Sequence, residues 1–252
     1  MQPNCHLAAF FANLAASQTN LAIAPVVDPA LTTTNNGMLL PENMRVGKVY
    51  LSGLGVTEGR IAVPSLRIVS QPWIQPVNKA LYPVDDFPIV DYKQQGPRIL
   101  RAETFSLQAT SDATGGPNAS YGLFWLYNQF RPAPSGDMTT IKATSTIVCV
   151  AGTWVLGALT LEQDLPAGRY AIVGCAAIGA TAVAIRFAFA GGGYRPGVLV
   201  QQAQGQFSSD QFEKGNSGWF GEFENSLPPQ IDCLGTAGSV NLTLYIDIIK
   251  VG

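Results

Sequence analysis

At 252 residues and 26.7 kDa the chain is long enough for one large β domain or two very compact ones. Charged residues make up 13% of it and the formal net charge is -2 with a pI near 5.4, which leaves no electrostatic footprint for nucleic acid, since such binding depends on Lys and Arg replacing counterions along the phosphates. A single histidine leaves little room for Ser-His-Asp or Cys-His catalysis, and a hydrophobic content of 47% with 26 Gly and 17 Pro points to many short strands between turns.

In chain order, the first cation is Arg45; residues 1–44 carry Asp28, Glu42 and His6 but no Lys or Arg. A basic arm gripping a genome is therefore not expected. The run 7–16 is apolar apart from Asn13 and reads as a short amphipathic or apolar helix, starting near Pro3 and Asn4, that packs on a neighbour or touches a lipid surface. It is far short of the ~20 apolar residues of a membrane-spanning helix, and with no basic residue before it a cleaved leader is not favoured. Residues 24–44, with Pro25, Pro29, Pro41 and the stretch Thr32-Thr33-Thr34-Asn35-Asn36-Gly37, read as an extended arm able to reach another subunit.

Strand signal begins after Val46. Runs 48–56 and 60–70 flank the turn Thr57-Glu58-Gly59, and Pro64 marks the second run as an edge. Residues 71–98, with five prolines, form a long excursion of the sort that carries function or meets a partner. Strand character returns at 99–111, and 121–127 is apolar on both faces, as in a central strand covered on each side. Runs 139–150, 153–161, 169–177, 181–189 and 240–251 follow with short turns. Val183, Ile185, Phe187 and Phe189 alternate with Ala182, Ala184, Arg186 and Ala188, and Leu242, Leu244, Ile246 and Ile248 alternate with Thr243, Tyr245 and Asp247. That period of two specifies half-buried antiparallel strands. About ten to twelve strands favour a single elaborated jelly roll, with a compact double jelly roll left open. The domain reading is an N-terminal helix and arm over 1–44 and an all-β jelly-roll β-sandwich body over 45–252.

Sites for chemistry are sparse. Cys5, Cys149, Cys175 and Cys233 are scattered without metal or redox spacing and read as buried free thiols. Gly53-Leu54-Gly55 with Gly59 misses the dinucleotide fingerprint by one residue and is followed by a strand. Asp85, Asp86 and Asp91 lack the regular spacing of a calcium loop. No catalytic, cofactor or metal residues are assigned. The remaining chemical candidate is a pair of carboxylates, Glu222 and Glu224, on one strand face near Trp219, a pattern that suits a secreted sugar-binding or sugar-cleaving β-sandwich. Most aromatics are expected in the core; large aromatics also anchor interfaces, and the candidates for subunit contact are Phe10, Phe11, Trp125, Tyr127, Trp219 and Phe220.

The succession from Asp164-Leu165-Pro166-Ala167-Gly168-Arg169-Tyr170 through Ala184-Ile185-Arg186-Phe187, Tyr194-Arg195-Pro196-Gly197 and Gly218-Trp219-Phe220-Gly221-Glu222-Phe223 to a closing strand resembles the jelly-roll major capsid proteins of small tailless icosahedral phages. The resemblance covers about 139–252 and lies in texture and order. It implies a virion protein whose upright barrels assemble with copies of itself into capsomers, alongside other virion proteins and often over an internal lipid membrane, without direct nucleic-acid binding. The leading functional expectation is thus a self-assembling icosahedral coat protein. The alternatives are the carbohydrate-directed sandwich and a filament or surface-layer subunit.

Overall fold

The structure, a computed structural model, describes residues 5–53, 55–63, 73–74, 89–92, 95–113, 118–129, 132–201 and 220–252. The protein is all-β, with two sheets, one curled into a half-barrel, consistent with a jelly-roll β-sandwich. Twenty strands form among the described residues. That exceeds the sequence estimate because proline- and threonine-rich stretches contribute pairings of two or three residues, too short to show a period. The chain falls into two compact units, Ala8–Asn128 and Met1–Leu7 with Gln129–Gly252.

The unit Ala8–Asn128 holds β1 (Cys5–Leu14, whose first three residues belong to the other unit), β2 (Leu21–Pro25), β3 (Thr32–Thr34), β4 (Gly37–Leu39), β5 (Met44–Ser52), β6 (Val56–Ala62), β7 (Trp73–Ile74), β8 (Ile89–Asp91), β9 (Arg98–Ile99), β10 (Thr104–Ser111) and β11 (Asn118–Tyr127). Its sheet runs β3-β4-β10-β2-β1-β11-β5-β8, with β6 on β10 and β7, and β9 on β5. The helix expected over 7–16 is corrected by this arrangement: the segment is strand β1, paired antiparallel with β2. Its alanines favour a helix locally, but residues 5–10 are buried on both faces, and a short two-sided apolar run is what a central strand requires. Residues 24–44 are extended and partly paired within the unit, where the β3–β4 hairpin lies against β10.

Residues 121–127 of β11 are all buried between β1 and β5, as their two-faced apolar pattern predicts. Phe10, Phe105 and Phe124, from β1, β10 and β11, meet edge to face at centroid distances of 5.4, 5.4 and 5.5 Å and centre the core. Gly122 lets Leu107 approach the β11 backbone, since a Cβ there would collide with Leu107 Cδ2. Most of the 71–98 excursion, including Asp85 and Asp86, lies outside the described residues.

The second unit holds β12 (Met138–Cys149), β13 (Val155–Gly157), β14 (Thr160–Leu161), β15 (Arg169–Ile178), β16 (Ala182–Ala188), β17 (Gly197–Gln201), β18 (Gly221–Glu224), β19 (Gln230–Gly235) and β20 (Gly238–Lys250). The order is β13-β19-β16-β17-β15-β20-β12-β14, with β18 on β15. β12 and β20 pair in unbroken register from Met138↔Ile249 to Cys149↔Gly238. One face of this pair sends Ile141, Ile147, Leu242, Leu244, Ile246 and Ile248 into the core, which is the alternation read from sequence. In β16 the expected alternation holds for Ile185 and Phe187, but a register shift between Ala182 and Ala184 turns Ala182 into the core and leaves Val183 half-buried.

All four cysteines are buried and outside any disulfide, and the Cys149 and Cys233 sulfurs lie 3.4 Å apart. Burial, with Asp247 nearby, pushes the Cys175 thiol far up, so it stays protonated and unreactive. An aromatic disulfide reagent should therefore leave Cys175 unmodified in the native protein and react with it once denaturant is added. Phe105→Ala should lower stability by about 3–5 kcal/mol, read as a lower urea midpoint with an unchanged slope.

Candidate functional site

The densest polar cluster among the described side chains grows from two charged residues placed in otherwise apolar strands. Arg186 on β16 and Asp232 on β19 are direct cross-strand partners. Both point away from the unit's main apolar cluster, yet they are 0% and 2% exposed. Arg186 Nε donates to Asp232 Oδ2 at 2.7 Å, and Arg195, in the connection between β16 and β17, bonds the same oxygen. The Arg186 guanidinium carbon also sits 4.2 Å from the centroid of the Trp154 ring, a cation–π contact.

The N-terminal residues complete the cluster. Arg186 Nη1 donates to the Leu7 carbonyl at 3.1 Å, the Leu7 N–H donates to the Arg195 carbonyl at 2.9 Å, and the Arg195 N–H donates to His6 Nδ1 at 3.0 Å. His6 is fully buried, with Nε2 3.5 Å from Arg186 Nη1 and the Tyr194 ring at 6.0 Å between centroids. Gly197 leaves the space this needs, because a Cβ there would lie 2.7 Å from Leu7 Cδ2. The backbone of Cys5–Leu7 is thereby clamped to the β16–β17 connection through the groups of two arginines. The arrangement can hold a strand in place. His6, which a catalytic triad would have had to recruit, spends Nδ1 on a backbone N–H instead.

Neither Arg186 nor Asp232 stood out from sequence as a site residue. The available signal was a charge inside Ala184-Ile185-Arg186-Phe187 and another inside Ile231-Asp232-Cys233-Leu234, in a chain with only 13% charged residues. Because burying an ion costs several kcal/mol unless it is paired, an ionic residue in such a strand implies a partner.

The sequence candidates are distributed as follows. Phe10, Trp125, Tyr127 and Phe220 are buried within the chain, Phe220 against Phe187 with centroids 5.8 Å apart. Phe11 is half-buried beside Tyr121, and Trp219 lies outside the described residues. Glu222 and Glu224 both lie on β18 opposite β15, where the Glu222 carboxylate faces Arg169 Nε at 3.4 Å; Glu224 is exposed. Asp91 ends β8 opposite Lys48. Among the described residues no group of three or more His, Cys, Asp and Glu could hold a metal ion.

No family model matches the chain and no curated protein is similar to it. Two solved structures align with it over nearly their whole length. The major capsid protein P2 from bacteriophage PM2 is 10% identical, covers 97% of this chain and 98% of its own, and gives a TM-score of 0.25. The STIV MCP is 10% identical, covers 96% and 97%, and gives a TM-score of 0.29. Function has to be read from the chain's own residues.

Removing the carboxylate that two arginines share leaves buried charge unanswered, so Asp232→Ala should cost about 3–5 kcal/mol in a denaturant titration. The exposed Lys142–Glu162 pair, 2.8 Å apart with both side chains solvated, is the contrast: Lys142→Gln should leave the midpoint almost unmoved.

Proposed function

We propose that this chain is a virion structural protein, a major capsid protein whose copies associate side by side into an icosahedral shell. The observation that carries this reading is the outward face of the β12–β20 pair. Its rows read Thr144 with Thr243, Thr146 with Asn241, and Val148 with Ser239. Lys142 is the cation on this stretch of β12, and Glu162 already pairs with it. Val148 and, just beyond the strand, Val150 are 67% and 55% exposed. A long wall mostly of Thr, Asn, Ser and Val can be covered by a second copy with little stripping of water from charges, the costly step in burying an ordinary charged surface.

The low overall charge supports the same assignment. Residues 1–44 hold no Lys or Arg, which suits a shell separated from its genome, with an internal lipid membrane and other virion proteins as its remaining partners. Closed symmetric assembly uses up the wall on every copy, so a weakly charged exterior is compatible with a soluble particle. Among the six aromatics considered as subunit contacts, Phe11 is the one with a described, partly exposed side chain, and it is the one retained as a contact residue.

Negative-stain microscopy and light scattering of the purified protein should show closed particles or capsomers. Val148→Asp with Val150→Asp should abolish them while leaving the unfolding midpoint within about 0.5 kcal/mol of the parent, as for exposed positions generally. A chain that stays monomeric at high concentration in every buffer would overturn the proposal.

A further inference from the structure

The clamp on Cys5–Leu7 contains the only imidazole in the chain, and its hydrogen bonding fixes which form that ring must take. Nδ1 accepts from the Arg195 N–H at 3.0 Å, so in the docked state Nδ1 carries no proton and the neutral ring holds its hydrogen on Nε2. Adding a proton to Nδ1 deletes this acceptor. It also places a third cation in a cluster where the Arg186 and Arg195 guanidiniums already share one Asp232 oxygen. The groups facing the ring are Arg186 from β16, Arg195 and the Tyr194 ring from the β16–β17 connection, and, through both arginines, Asp232 from β19. The Cys5 thiol adjoins it on its own strand. Among the described residues facing the ring, two are permanent cations at working pH, and the Asp232 carboxylate is bonded to both of them.

We propose that the N-terminal strand is held by an acid-labile latch in which His6 is the sensor: protonation of Nδ1 undocks residues 5–7 from the β16–β17 connection. The sign follows from linkage. Once released, the ring takes up its proton near pH ~6.5, the ordinary value for histidine, whereas the docked ring resists it. The released state therefore binds more protons, and docking is fully present above about pH 6.5 and weakens as pH falls, by at most about tenfold per pH unit for one proton. The three hydrogen bonds joining Leu7, His6, Arg186 and Arg195 are lost together, because the ring and the Leu7 peptide group are neighbours on one strand. This inference stands apart from the shell reading, since it concerns contacts within one chain.

The test is hydrogen–deuterium exchange at the Leu7 and Arg195 amides from about pH 5 to about pH 8, corrected for intrinsic exchange rates, with exchange at the imidazole C2–H reporting His6 protonation in the same samples. Wild type should lose protection at both amides in step with ring protonation, by up to about tenfold per pH unit below the midpoint. His6→Asn places an uncharged acceptor where Nδ1 was and should keep protection flat across the range. Two results would overturn the proposal: a ring that protonates near the ordinary value while both amides stay protected, or the same loss of protection in His6→Asn. Should that variant fail to fold, the coincidence or separation of the two wild-type profiles still decides the matter.

Discussion

A guanidinium with no solvent exposure is the constraint around which the second unit is organised. Arg186 can be buried only if its charge is answered by partners brought to it. Separate stretches supply the answers: the Asp232 carboxylate from β19, the Leu7 carbonyl from the N-terminal residues and the face of Trp154. Each partner in turn has to be delivered to one place. The cross-strand register Arg186↔Asp232 is fixed by this requirement, and so is the path of the connection that carries Arg195 to the same oxygen.

Charge is thus distributed in an unusual way. The inside of the unit holds an ionic cluster, while the long exterior face of β12 and β20 is mostly Thr, Asn, Ser and Val. In an isolated soluble domain the reverse is common, because charges are best solvated at the surface. Here the interior ions give specificity, since a misdocked N-terminal strand would strand a cation without its carbonyl. The neutral exterior lowers the desolvation cost of covering that surface.

The strands were legible wherever one face is buried and the other is not. The alternation of Leu242, Leu244, Ile246 and Ile248 with Thr243, Tyr245 and Asp247 placed β20 correctly, because side-chain direction in a strand is a local property. The same rule missed β1. Its Leu, Ala and Phe residues are buried on both sides, which erases the period, and helix propensity filled the gap. The fate of the aromatics was less visible still: Phe10 centres a core trio because Phe105 and Phe124 converge on it from strands far away in sequence. The Arg186 cluster lay beyond local reading for the same reason. A charge in an apolar strand announces that a partner exists, but only the folded topology says that it is Asp232 and that a histidine 180 residues earlier joins it.

The spacing of that clamp also bears on how the chain is made. Leu7 is synthesised 179 residues before Arg186, an interval of about 10–35 s at ordinary elongation rates. Throughout that time Cys5, His6 and Leu7 have no lodging in their own unit. Thr140 waits in the same way for Asp247, 107 residues downstream, before β12 acquires its longest neighbour. A nascent chain of this protein therefore carries the unmet 5–7 segment through 179 residues of synthesis and an unmet edge of β12 through 107, and shielding them from premature pairing falls to whatever holds the emerging polypeptide.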